Sequence, residues 1–126
     1  MKVLGGNGLK KTLYNLREYP QMFILEERAE NLFQFLIGWN LHRLYSPDED
    51  IFADIFFLNF DHFVIFKLNM RPTSQGWAVT ISNLNDGRTE IEAFFDLLIE
   101  FEKSEFFTDI PIRNARRRMT LDNEAD

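Results

Sequence analysis

Residues 63–84 read FVIFKLNMRPTSQGWAVTISNL, and the fold turns on them. In an extended chain Val64, Phe66 and Leu68 share one side, while Lys67 and Asn69 fall on the other. RPTSQG would then be a turn and WAVTISNL the returning strand, giving an α+β domain with a hairpin at 63–84. The competing reading carries a helix through Lys67, turns at Pro72 and starts a short helix at Trp77. That reading makes the chain mainly α, a single-domain helical bundle of about four to six helices. The strand propensity of the stretch taken alone leans towards the hairpin.

Immediately upstream stands SPDEDIFADIFFLNFDHF, residues 46–63, with five carboxylates among eight aromatic or branched apolar residues and no Lys or Arg. A helix accounts for much of it. Ser46 suits the N-cap, Pro47 the first helical position, and Glu49 the third position of a capping box. Asp48, Glu49 and Asp50 would then lie in the first turn, where the helix dipole favours negative charge. Asp54 and Asp61 are left over. On a helix they continue one row from Asp50, with Phe57 between them. The remaining positions are apolar nearly all round, which predicts a central helix with one acidic edge at the surface.

Further out, Leu9, Leu13 and Leu16 mark a short amphipathic helix stopped by Pro20. Between Glu26 and Tyr45, the spacing of Leu32, Phe35, Leu36 and Trp39 marks a second helix. Gly38 within it suggests a close helix contact. Downstream, Asp86–Gly87 reads as a turn, and Thr89 with Glu92 as a capping box. Ile91, Phe94, Phe95, Leu98 and Phe101 form the apolar face of the last helix, opposite Glu92, Asp96 and Glu100. Residues 1–8 read as a flexible leader and 113–126 as a polar tail with a basic knot at Arg116–Arg118.

A chain of 126 residues with 45% apolar content is one domain, long enough to bury a core. Fourteen of its side chains are Phe, which has no polar handle, so most rings belong in the core or at an interface, with room for a homodimer patch. Without cysteine there is no disulfide framework and no thiolate metal site, which suits a reducing cytoplasm. No apolar run reaches membrane-spanning length. The net charge of −6 is unevenly placed. Residues 1–45 carry +2, residues 46–105 carry −8, and the remainder is neutral. A field of that sign repels nucleic acid and favours a basic protein partner.

No reactive constellation accompanies this charge. His42 and His62 lie outside any zinc-ligand spacing, and no serine stands in a nucleophile-elbow motif. GGNG at 5–8 lacks the lysine of a phosphate loop. The expectation is a binder rather than an enzyme, without cofactor or metal.

Four phrases together resemble small bacterial immunity proteins of contact-dependent growth-inhibition and related polymorphic toxin systems. They are LYNLREYPQMFIL, LFQFLIGW, GWAVTI and EIEAFFDLLIEF, between about residues 9 and 105. The residues carrying the likeness are Pro20, Met22 and Phe23; Leu32, Phe35, Leu36, Gly38 and Trp39; Gly76 and Trp77; and Phe94 and Phe95. The resemblance implies a predominantly helical fold, which tips residues 63–84 towards helix. It also implies a cytoplasmic protein that binds and neutralises the C-terminal domain of a cognate toxin. A nuclease toxin has a basic cleft, and an acidic surface with aromatic anchors suits it. The expected contact face is Asp48, Glu49, Asp50, Asp54 and Asp61 with Phe57 or Tyr45 as anchor. Glu92, Asp96 and Glu100 form a second candidate face. The rival expectation is a non-catalytic adaptor or regulatory protein that binds a host protein.

Overall fold

The structure, a computed structural model, describes residues 8–46, 48–70 and 76–112. Among these residues are five α-helices, α1 (Leu9–Glu18), α2 (Ala29–Arg43), α3 (Ile51–Leu68), α4 (Trp77–Ser82) and α5 (Glu90–Glu102), with a 3₁₀ turn at Pro20–Met22. No strand occurs among the described residues, so the helical reading of the deciding stretch holds and the hairpin does not form. α3 ends at Asn69, which adopts the left-handed conformation (φ 52°) and returns its N–H to the carbonyls of Ile65 and Phe66. Asparagine tolerates that conformation, and it is a common way to stop a helix. Apart from Gly8, the leader lies outside the described residues, as do Pro47, Pro72 and the tail with Arg116–Arg118.

α3 is the central element, about 27 Å long at 1.5 Å per residue. Its buried face carries Ala53, Phe56, Phe60, Phe63 and Val64. Phe60 is the hub. It stacks on Phe56 at 4.8 Å and meets Trp77 of α4, and Phe94 and Phe101 of α5, edge-on at 5.3–5.5 Å. Edge-to-face pairs place a positive ring edge on a negative face, and each contributes about 0.5–1.5 kcal/mol beyond area burial. The unusual use of Phe therefore becomes a ring lattice joining three helices. α1 closes the core from another side with Leu9, Leu13 and Leu16, all buried.

Two helix starts depend on carboxylates distant in sequence. The Asp50 side chain accepts from the Ala53 N–H at 3.0 Å as the N-cap of α3, and its other oxygen accepts from the Leu9 N–H at 2.8 Å at the start of α1. Glu90 accepts from the Ala29 N–H at 2.8 Å at the start of α2, and from the Ser82 hydroxyl at 3.0 Å at the end of α4. Gly8 and Arg28, at the N-cap positions of α1 and α2, supply no side-chain cap, so acids from elsewhere satisfy donors left open at each helix start.

This corrects the expected beginning of α3. The N-cap is Asp50, not Ser46; the helix starts at Ile51, and Asp48 and Glu49 precede it. Ser46 instead accepts from the Asp48 N–H at 3.3 Å in a local turn. Asp54, rather than the acid triplet, occupies the first turn. Gly38 is a second correction: a Cβ there would meet nothing within 4 Å, so no close helix contact requires it. The Thr89–Glu92 capping box forms as read from sequence.

Asn59 ties the segment after α5 to the core. It is fully buried on α3, and its Nδ2 donates to the carbonyls of Phe106, Thr108 and Ile110 at 2.9–3.1 Å. Its Oδ1 accepts from the Ile112 N–H at 2.8 Å. One amide, its two N–H bonds shared among three carbonyls and its oxygen taking one N–H, thus ties four backbone groups of residues 106–112 to α3.

Candidate functional site

Where α2, α3 and α4 meet, a half-open cavity of about 310 Å³ is lined by Phe33, Leu36, Ile37, Phe56, Phe57, Asp61, Gly76 and Trp77. Aromatic pairs build its walls. Phe33 of α2 meets Trp77 edge-on at 5.3 Å, and Phe57 stacks against Trp39 at 6.3 Å. Gly76 has φ +76°, and a Cβ there would stand 3.2 Å from the Phe33 ring, so glycine keeps this wall thin.

Asp61 is the cavity's ionisable group. Its Oδ1 is shielded from solvent and has no hydrogen-bond partner among the described residues. Burial raises its pKa above the ordinary carboxylate value, opposed by the charge of His62 and by a hydrogen bond from the Trp77 backbone N–H. The Trp77 N–H is the first of α4, and the wall opposite is apolar. A carboxylate is therefore held against aromatic rings with one oxygen unsatisfied, an arrangement that costs free energy until a donor reaches it.

The cavity opens onto an apolar stripe. Phe33, Ile37, Leu41 and Leu44 follow the four-, four- and three-residue steps of one helix row, and Tyr45 continues it past the end of α2. Exposure rises along the stripe, from 45% at Ile37 through 57% at Leu41 and 66% at Leu44 to 90% at Tyr45. Beside its outer end are exposed Asp48 and Glu49. Neither makes an ion pair among the described residues.

The acids expected on the first face separate into four environments. Asp48 and Glu49 are exposed, Asp50 is half-buried and occupied by its two caps, and Asp61 is turned into the cavity. Asp54 is exposed but pairs with Arg43 at 2.9 Å. Arg43 also donates to Asn40 at 2.8 Å and lies over the Phe57 ring at 5.7 Å. Of the two suggested anchors, Tyr45 projects and Phe57 is a half-buried cavity wall. The row Asp50–Asp54–Phe57–Asp61 exists, but it turns inward along α3 instead of facing solvent throughout.

On the second face every acid has an internal partner. Glu92 accepts from the Thr89 N–H at 2.8 Å, Asp96 pairs with Arg88 at 3.0 Å, and Glu100 pairs with Lys67 at 2.7 Å. Arg88 also pairs with Asp86, whose pKa its hydrogen bonds lower. A cleft of about 380 Å³ opens beside this network between Arg17, Glu27, Arg88 and Glu92. A second exposed apolar group, Tyr19, Met22 and Leu25, follows α1 but borders neither the cavity nor a buried unpaired group.

Ile37, Leu41 and Leu44 were not recognised from sequence. Their spacing was legible there, but α2 has apolar residues on several sides, and spacing cannot say which row the neighbours cover. The buried row proves to be Ala29, Leu32 and Leu36. No group of three or more His, Cys, Asp or Glu able to hold a metal occurs among the described residues, and no described helix is long and apolar enough to cross a membrane. No protein family, curated protein or solved structure matches this chain.

Proposed function

We propose that this protein is a non-catalytic immunity protein that binds and neutralises a cognate toxin domain in the cytoplasm, through the face formed by the cavity, the Ile37–Tyr45 stripe and Asp48–Glu49. The observation that carries the binding face is the stripe itself: an exposed apolar row running from Tyr45 into a cavity lined by half-buried Asp61, whose shielded Oδ1 has no hydrogen-bond partner among the described residues. Contiguous exposed apolar surface rimmed by polar groups marks protein interaction sites. The cognate toxin as partner comes from the family resemblance, and the acids at the rim give a basic toxin domain, such as a nuclease, its electrostatic complement. The charges of the alternative face are engaged with Arg88, Lys67 and the α5 cap, as Asp50 and Asp54 are with theirs, whereas Asp48 and Glu49 beside the stripe have no ion pair among the described residues, so the stripe face is preferred.

The test is co-purification with the C-terminal domain of the toxin encoded immediately upstream, followed by variants. Leu44→Glu should weaken binding at least tenfold, about 1.4 kcal/mol, mainly through faster dissociation. Asp48→Lys with Glu49→Lys should slow association several-fold at low salt and less at high salt. Leu25→Glu and Asp96→Lys should leave binding within about twofold. Capture of the toxin undiminished by Leu44→Glu removes this face. No capture at all, with the protein folded, favours the adaptor reading.

A further inference from the structure

Resting on that reading of the face, we propose that the Asp61 cavity is the seat of a single arginine side chain supplied by the partner, its guanidinium bonding to Asp61 Oδ1 between the Phe33, Phe57 and Trp77 rings. The cavity of about 310 Å³ is at the small end for a binding pocket, and Ile37 in its wall continues into the exposed row Leu41–Leu44–Tyr45, which favours one inserted side chain over a free metabolite. Its lining is aromatic and aliphatic except for one carboxylate, so the occupant must be largely apolar along its length and must end in a donor. A neutral apolar group would leave Oδ1 without a partner. An anion would face the carboxylate. A cation completes the site.

Arginine fits better than lysine for two physical reasons. Its guanidinium is planar, stacks on aromatic faces and sheds water more readily than a compact ammonium. It can also direct one N–H at Oδ1 while its other donors face the open mouth, as suits a carboxylate already accepting from the Trp77 N–H. The nearest cation on α2, Arg43, does not oppose entry strongly because Asp54 already neutralises it at 2.9 Å. Burial favours the protonated form of Asp61, and an arriving guanidinium would draw the proton off by stabilising the carboxylate.

The experiment needs no toxin, so its failure is separable from failure of the functional reading. N-acetyl-argininamide is titrated into the ¹⁵N-labelled full chain and followed at the Gly76 and Trp77 amides and the Trp77 indole. Saturable shifts in the millimolar range are expected there. The citrulline analogue, equal in shape but uncharged, should bind at least tenfold more weakly, and the lysine analogue several-fold more weakly. Asp61→Asn should reduce arginine binding at least tenfold with the spectrum otherwise native. Ile37→Trp at the cavity mouth should block it while leaving Asp61 in place. Equal binding of the arginine and citrulline probes, binding retained in Asp61→Asn, or shifts confined to other surfaces would each overturn the proposal. Lysine binding as tight as arginine would overturn the choice of arginine.

Discussion

At Asp61, one side chain carries opposite consequences for stability and for binding. Its pKa is raised in the folded protein, chiefly by burial, so the native state holds the proton more tightly than the unfolded chain. The stabilising effect of that proton is fully present below the unfolded value near 3.8 and is lost as pH rises through the higher folded value. Among the described residues, no titratable group other than Asp61 lines the cavity, and His62 is the charge that acts on it. Asp61→Asn keeps an acceptor for the Trp77 N–H and removes the titration. Its melting temperature should therefore exceed that of the parent at pH 7, and the difference should shrink towards zero as pH falls below the unfolded value. A difference independent of pH between 3 and 8 would mean that Asp61 is not responsible. The signal legible in sequence was Asp61 on the row of Asp50, Asp54 and Phe57; that this row turns under α4 was not, because a row does not name its neighbours.

Among the elements, the informative feature is how helices begin. The capping box of α5 was readable because Thr89 and Glu92 are three residues apart. The caps of α1 and α2 were not, since Asp50 stands 41 residues from Leu9, and Glu90 stands 61 from Ala29. The same geometry explains why the start of α3 was misplaced. The Ser46–Glu49 motif is locally plausible, but Asp50 can cap α3 while also reaching α1, satisfying two helix ends with one carboxylate. Each cap is worth about 1 kcal/mol, so Asp50→Ala should lower stability by about 2 kcal/mol in urea denaturation. Asp50→Asn, with a single acceptor oxygen, should lose about half of that, and Asp48→Ala should change it by less than about 0.5 kcal/mol. Equal costs for Asp50→Asn and Asp50→Ala would show that the two oxygens do not act separately.

Over the whole molecule, charge is largely consumed by architecture. Of the acids that made residues 46–105 so negative, Asp50 and Glu90 cap helices, Glu92 closes the α5 box, and Asp54, Asp86, Asp96, Glu100 and Glu102 pair with Arg43, Arg88, Lys67 or Lys10. The acids without an ion pair among the described residues include Asp48 and Glu49 beside the stripe, and Glu18, Glu26, Glu27 and Glu30 near the α1–α2 connection. Integrity at this scale also depends on Asn59, which links α3 to residues 106–112. Asn59→Leu strands the buried Phe106 carbonyl and the Ile112 N–H, and should cost about 3 kcal/mol. Hydrogen exchange at Ile112 should accelerate at the same time, far more than at Phe94. Unchanged exchange at Ile112 would show that Asn59 is not what holds this segment.

The sequence by itself determined the helical elements on either side of Pro20 and after Thr89, the single apolar core and the excess of negative charge. These follow from residue order through spacing, backbone restriction and local capping, interactions that span about four residues. Only the tertiary structure decided that the deciding stretch carries helix rather than strand, which apolar row of α2 stays uncovered, and which acids are engaged. Each of those outcomes depends on what another helix brings into contact. Burial and pairing are properties of neighbours, and the chain acquires its neighbours by folding.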